Sequence, residues 1–290
     1  MFAFMFKLNF YNTYNEYTYV KYNLKPIVED FYKVDENLFC VADGITMDLL
    51  NGEYTPYPST KEQAEYILKN YPNPSGSFKS AYICCTHFFN EVKKYGCTKI
   101  DIETLKKIVS TINKDIWEIN KNRKIDYAPN DLYCCEACGG IINNNNLYCF
   151  SIGDSQISLF DKNYNLVFVS DDNVDFVGKY IDKEIYKNDP NGWTSIKNRQ
   201  IIRKNFRNNP KNIVNNTIMS YGALSGENSA MDFVHFYKIN LEKVKYICAY
   251  TDGFKPFIKD AKKVKDLISS PINFQNVGNE KTLVIYTKVD

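Results

Sequence analysis

At 290 residues, with 44% hydrophobic and 24% charged side chains, the chain can bury a sizeable core and lies far from the composition of disordered proteins. A net charge of +2 excludes a global electrostatic pull towards nucleic acid, and no apolar run approaches the ~20 residues of a membrane span. The opening MFAFMFKLNFYNTYNEY has Lys7 and polar residues from Asn9 onward, hence no signal-peptide core; with nine scattered cysteines this predicts a reducing, cytoplasmic setting.

Taken in chain order, residues 1–22 alternate Tyr and Phe with polar residues, as in one or two strands at a sheet edge. Lys25-Pro-Ile-Val-Glu29-Asp30 leads into FYKVDENLFCVADG, where Asp35-Glu36-Asn37 separates two β-like runs. A hairpin there brings Glu29 and Asp30 beside Asp43, because both lie at the end remote from the turn. The second run, LFCVADG, reads as a buried strand that stops at Asp43-Gly44. Ser59-Thr60-Lys61-Glu62 reads as a capping box for a helix to about residue 70. A second helix is predicted over 77–95, stopped by Gly96, with Phe78, Ala81, Cys85, Phe88 and Val92 on its apolar stripe. Thr98-Lys-Ile-Asp101 opens a third, in which Ile102, Leu105, Val109, Ile112 and Ile116 keep helical spacing.

From residue 132 to 170 the texture becomes an antiparallel meander: LYCCEACGGII, an asparagine turn, LYCFSIGDSQISLF, a second turn, then NLVFVS. Cys135 and Cys138 are three apart in an alternating run and so face opposite sides of a strand; they read as structural thiols, not a zinc pair. Residues 171–215 read as a polar, irregular, flap-like insertion. Within it Lys197, Arg199, Arg203, Lys204, Arg207 and Lys211 accumulate without an acidic neighbour, as a solvated surface or a phosphate-attracting flap. No aromatic-spaced recognition motif accompanies them, which argues against nucleic-acid binding. VHFYKI and YICAYTDG are strands, a helix follows over 257–269, and TLVIYTKV closes the chain. The order predicts one α+β domain over residues 1–290, with antiparallel sheets between helices. The oligomeric state is left open.

Three of these core strands deliver an aspartate at one end: Asp43, Asp154 and Asp252. Brought together, they repel one another and lose solvation, so a cation between them is expected. Hard carboxylate and carbonyl oxygens without imidazole or thiolate select Mg²⁺ or Mn²⁺. Two such ions about 4 Å apart can activate a water and clamp a phosphoryl group. No protein nucleophile is then required, which suits a chain whose two histidines, His87 and His235, stand beside no motif carboxylate in sequence.

Glu29-Asp30, Val41-Ala-Asp43-Gly44, Ile152-Gly153-Asp154-Ser155 and Tyr250-Thr-Asp252-Gly253, followed by the terminal Thr282-Leu-Val-Ile strand, resemble the motif series of the metal-dependent protein phosphatase 2C family. The resemblance runs from about Lys25 to the C-terminus, and Tyr221-Gly-Ala-Leu-Ser-Gly-Glu227 is similar to the compact bacterial-type members. It implies a four-layer αββα sandwich of two antiparallel β-sheets flanked by helices, hydrolysing phosphoserine or phosphothreonine in proteins with two Mn²⁺ or Mg²⁺ ions. By position it implies that Asp43 bridges both metals, Gly44 offers its carbonyl to one and Asp252 binds the other. Glu29 and Asp30 would act through metal-bound waters, and Asp154 at a third, weaker site. Lys25 falls where the family has a phosphate-gripping arginine, and Asn279 where it has its last aspartate ligand, with Glu280 next door able to reach in. These departures, with Ile45-Thr46-Met47 after Asp43-Gly44 and Gln156 after Gly153-Asp154-Ser155, leave two readings. One is an active phosphatase; the other is a weak or inactive phosphatase-like binding domain.

Overall fold

Two five-stranded antiparallel sheets lie face to face, with helices on their outer sides. The computed structural model describes residues 5–14, 17–25, 27–45, 49–50, 53–54, 58, 60–128, 130–189, 192, 195–258, 260–274 and 280–289. The first half contains β1 (Phe6–Tyr14), α1 (Tyr17–Lys21), β2 (Phe31–Val34), β3 (Leu38–Gly44), β4 (Leu49–Leu50), β5 (Glu53–Tyr54), α2 (Lys61–Asn70), α3 (Gly76–Tyr95) and α4 (Ile102–Asn120). The meander follows as β6 (Cys135–Asn143), β7 (Asn146–Ile152), β8 (Gln156–Phe160) and β9 (Leu166–Val169). Next come α5 (Asn173–Glu184), α6 (Ile196–Phe206), β10 (Ile213–Val214) and β11 (Thr217–Ile218). The chain closes through β12 (His235–Asn240), β13 (Tyr246–Tyr250), α7 (Lys255–Ile258), α8 (Ala261–Ser269) and β14 (Lys281–Lys288).

One sheet has the order β1-β14-β13-β8-β9, the other β12-β7-β6-β3-β2. Alternation along each strand sends side chains to two different apolar layers. Between the sheets lie Phe39, Val41, Cys138, Ile157, Leu159, Ile247, Val284 and Tyr286. On the outer face of the second sheet, Cys40, Ala42, Cys135 and Phe150 pack against Ala81, Cys85 and Phe88 of α3 and Leu105, Ile108 and Ile112 of α4. On the outer face of the first, Cys248, Tyr250, Leu283 and Ile285 meet Phe254, Ile258, Val264 and Leu267. The result is the four-layer αββα sandwich. Cys135 and Cys138 enter different layers, as their spacing requires, and all nine cysteines are free.

The helix starts follow their capping side chains, with two adjustments to the sequence reading. The Thr60 hydroxyl, one residue later than the Ser59 expected, accepts the Gln63 N–H, and Asp101 alone caps α4 through Thr104. The helix expected over 257–269 is broken into α7 and α8, because the Asp260 carboxylate takes the N–H groups of Lys262 and Lys263 and starts a new helix. Residues 17–21 are helical, not a second edge strand.

The described residues of the 171–215 segment are not irregular. Among them α5 and α6 bury Val177, Ile181, Ile202 and Phe206 in an apolar cluster of their own. Of the basic residues there, Arg203 and Arg207 are buried against Asp131, at Nε–Oδ2 3.2 Å and Nη2–Oδ1 2.6 Å. Only Lys197, Lys204 and Lys211 of that group are exposed. Their place in a polar segment that reads as irregular concealed that two guanidiniums are anchors. Among the described residues no helix is long and apolar enough to cross a membrane.

Candidate active site

The acidic residues converge where strand ends from both sheets meet. Antiparallel pairing of β2 and β3 sets Phe31 against Ala42, so Asp30 arrives beside Asp43, as the hairpin reading requires. Pairing of β3 with β6 sets Asp43 directly opposite Glu136. From the other sheet, β13 runs out into Thr251-Asp252, and β14 begins after Glu280. The turn between β7 and β8 supplies Asp154.

Two glycines allow this crowding. A side chain at Gly44 would stand 2.6 Å from the Glu29 carbonyl oxygen and 2.7 Å from the Ser77 backbone, so the end of β3 can pass between the segment before β2 and the start of α3. The Ser77 hydroxyl donates to the Ile45 carbonyl and fastens that approach. Gly153 has φ +73°, and a Cβ there would fall 2.4 Å from the Glu136 side chain. The Glu136 carboxylate uses that space to accept the Asp154 N–H at 2.8 Å.

Each outer carboxylate is held by donors. Glu29 Oε1 accepts the Tyr71 hydroxyl at 2.8 Å and the Ser75 hydroxyl at 2.6 Å. Asp30 Oδ2 accepts the Thr251 and Thr282 hydroxyls at 2.9 and 2.8 Å, tying β2 to the opposite sheet. Glu280 Oε1 accepts the Glu29 and Asp30 N–H groups at 2.8 and 2.6 Å. Asp154 and Asp172 share the Lys255 ammonium, at 3.1 and 2.7 Å. At the centre, no donor among the described residues hydrogen-bonds the Asp43 carboxylate.

The electrostatics follow from this arrangement. Loss of solvent pushes the Asp43 carboxyl well above the ordinary carboxylate range, and Asp30, Asp252, Asp154 and Glu29 push it further. Burial and then Glu280 raise Asp30, against the pull of the two threonine hydroxyls. Burial and Asp154 push Asp252 up to about 7, with Lys255 opposing. Burial, then Asp43 and Glu29, raise Glu280 to about 8, although the N–H groups of residues 29 and 30 draw it down. Burial and Asp154 raise Glu136 well above its usual range.

Among the described residues no three Asp, Glu, His or Cys side chains already stand in an arrangement that would hold a metal ion. The chemistry of the donors nonetheless fits a hard divalent cation: carboxylate oxygens from both sheets, mutually repelling, with the central one lacking a donor. The residues that could hold it are Asp43, Asp252 and the Gly44 carbonyl at the end of β3.

Of the residues singled out in the sequence, Glu29, Asp30, Asp43, Asp154 and Asp252 thus share one electrostatic cluster. Lys25 is exposed and, among the described residues, makes no ion pair with it. Asn279 lies outside the described residues, while Glu280 beside it joins the cluster. His87 pairs with Asp115 at 2.7 Å on the α3–α4 face, and His235 with Asp171 at 3.2 Å. The sequence reading missed Glu136, Asp172 and Lys255. Glu136 was legible only through the register of β3 with β6, and Lys255 only as the second residue after Thr251-Asp252-Gly253, where a helix begins.

No protein-family model matches the chain, and no curated protein matches it. Solved structures do. The catalytic domain of the serine/threonine protein phosphatase PstP in complex with two manganese ions superposes with a TM-score of 0.59 at 13% identity, over 99% of this chain and 100% of that one. The chain has the phosphatase 2C fold. The Mycobacterium tuberculosis serine/threonine phosphatase PstP/Ppp gives a TM-score of 0.55 at 11% identity, covering 99% of both chains. PppA, a regulatory component of T6SS in Pseudomonas aeruginosa, gives 0.56 at 10%, also over 99% of both. At such identities the likeness speaks for the phosphatase 2C fold alone.

Proposed function

We propose that this chain is a metal-dependent serine/threonine phosphoprotein phosphatase of a reducing, cytoplasmic compartment, using Mn²⁺ or Mg²⁺ held by Asp43, the Gly44 carbonyl and Asp252. The observation that carries the reading is the convergence of Asp30, Asp43, Asp252 and Glu280 from both sheets, their charged forms disfavoured by burial and by one another. A divalent cation relieves that repulsion. When bound, it supplies Lewis-acid activation of water and charge neutralisation of a phosphoryl group.

The chain's own residues prepare that site. Thr251 and Thr282 hold Asp30 across the two sheets, and Tyr71 and Ser75 hold one oxygen of Glu29, so both carboxylates are fixed beside the centre. Glu280 fixes the backbone of residues 29 and 30 and adds negative charge beside Asp43. Asn279 would add a neutral amide oxygen, which weakens hold on the ion relative to a carboxylate. The nine free cysteines suit the reducing setting.

The direct test is hydrolysis of p-nitrophenyl phosphate and a phosphothreonine peptide with millimolar Mn²⁺, abolished by EDTA. No hydrolysis under any metal condition sinks the phosphatase reading. It would favour the second reading, a phosphatase-like binding domain, for which the exposed Lys25 and the surface lysines Lys197, Lys204 and Lys211 are the relevant features.

A further inference from the structure

Lys255 is the first residue of α7 and leaves the same turn that delivers Asp252. Its ammonium does not point to solvent: the side chain is 16% exposed and sits between the carboxylates of Asp154 and Asp172, themselves 14% and 17% exposed. Those two aspartates come from separate places. Asp154 tips the turn between β7 and β8, and Asp172 caps α5 by accepting the Asp175 N–H at 3.0 Å. One ammonium therefore gathers three segments around the side of the acidic cleft that Asp154 occupies. Its positive charge also reaches Asp252, where it opposes the repulsion from Asp154.

The cleft is thus divided. Around Asp43 the carboxylates face one another with no ion pair to Asp43 among the described residues; around Asp154 the charge is already matched by a side chain of the protein. We propose that Lys255 is a tethered cation that takes the place of a divalent ion at Asp154, confining metal binding to the Asp43 and Asp252 side. An ammonium about 3 Å from the Asp154 oxygen and a divalent ion bound to the same carboxylate would repel each other strongly at that separation. Two carboxylates hold the ammonium against displacement. The proposal rests on the reading of the cleft as a divalent-metal site, and it withdraws Asp154 from the ligand set expected from sequence.

The experiment counts Mn²⁺ bound per chain by equilibrium dialysis with elemental analysis, and follows the melting temperature with and without Mn²⁺. Lys255→Gln is expected to bind one more ion than the wild type and to gain more in melting temperature from Mn²⁺. The extra ion should vanish in Lys255→Gln/Asp154→Asn, and Lys255→Arg should keep the wild-type count. Asp154→Asn in the wild-type background, which keeps a side chain of the same size, should lose no ion. An unchanged count in folded Lys255→Gln, or an ion lost in Asp154→Asn, overturns the proposal and leaves the metal reading standing. A wild type that binds no Mn²⁺ overturns both.

Discussion

Asp131 and Asp43 are both aspartates screened from bulk water, and their surroundings are opposite. Asp131 receives Arg203 at 3.2 Å, both Nη atoms of Arg207 at 2.6 and 2.9 Å, and the Leu132 N–H at 2.8 Å. Asp43 faces Asp30, Asp252, Asp154 and Glu29. In the first region two guanidiniums offset the desolvation of a carboxylate and pin α6 to the body of the molecule. In the second no hydrogen-bond donor or ion-pair partner among the described residues compensates the desolvation of Asp43. The contrast separates a buried ionic group that the chain itself pairs from one whose described neighbours are all of its own sign.

Exchanging charge for an amide at each place should therefore act on different quantities. On the proposed function, Asp43→Asn is expected to lower turnover by about 10³-fold or more, since it removes a charge proposed to hold the cation. It should also raise the melting temperature of the metal-free protein, because a source of repulsion is gone. Near-wild-type turnover, measured on folded protein with saturating Mn²⁺, would take Asp43 out of the site. Asp131→Asn should do the reverse. Two buried guanidiniums lose their counter-charge, and unfolding in urea should show a loss of about 3–5 kcal/mol. Turnover per folded molecule should hold. A loss below about 1 kcal/mol would place this pair among ordinary surface bridges.

How much of that contrast the sequence carried depends on the range of the interaction. The strands before Asp43, Asp154 and Asp252 were legible because a buried strand leaves a local signature, an apolar run stopped by a turn. The approach of Asp30 to Asp43 was legible because a short hairpin fixes register between neighbours in sequence. Glu136 was not, since its place opposite Asp43 depends on β3 pairing with a strand some ninety residues away. The anchoring role of Arg203 and Arg207 was hidden for the same reason. A basic stretch in a polar segment reads as a solvated surface or a phosphate-attracting flap until the partner carboxylate, which belongs to the loop before β6, is brought to it.

The uncompensated region should also respond to pH in a way the compensated one does not. Unfolded, Asp252 and Glu280 titrate near the ordinary carboxylate value of about 4. Folded and without metal, they are pushed up to about 7 and about 8. Between these limits the native state keeps protons that the unfolded chain has released, so its stability falls as pH rises. The metal-free melting temperature should thus drop from pH 5 to pH 8, and saturating Mn²⁺ should flatten the slope. A metal-free protein whose stability is level, or rises, over that interval contradicts the clustering of these carboxylates.

The smallest effect is expected at Lys25. A cation that grips phosphate in the ground state would normally be oriented by a carboxylate or a hydroxyl, as Lys255 is by two aspartates. Lys25 is exposed and, among the described residues, has no such partner. An exposed, unoriented charge gains little from pairing, about 0.2–1 kcal/mol, so Lys25→Ala should lower kcat/KM by less than about fivefold. That modest loss should shrink further at high salt, because an exposed charge is screened within the Debye length. A loss above a hundredfold, indifferent to salt, would mean that Lys25 is drawn into the cleft when substrate binds, and that the acidic centre is completed by two cations of the chain.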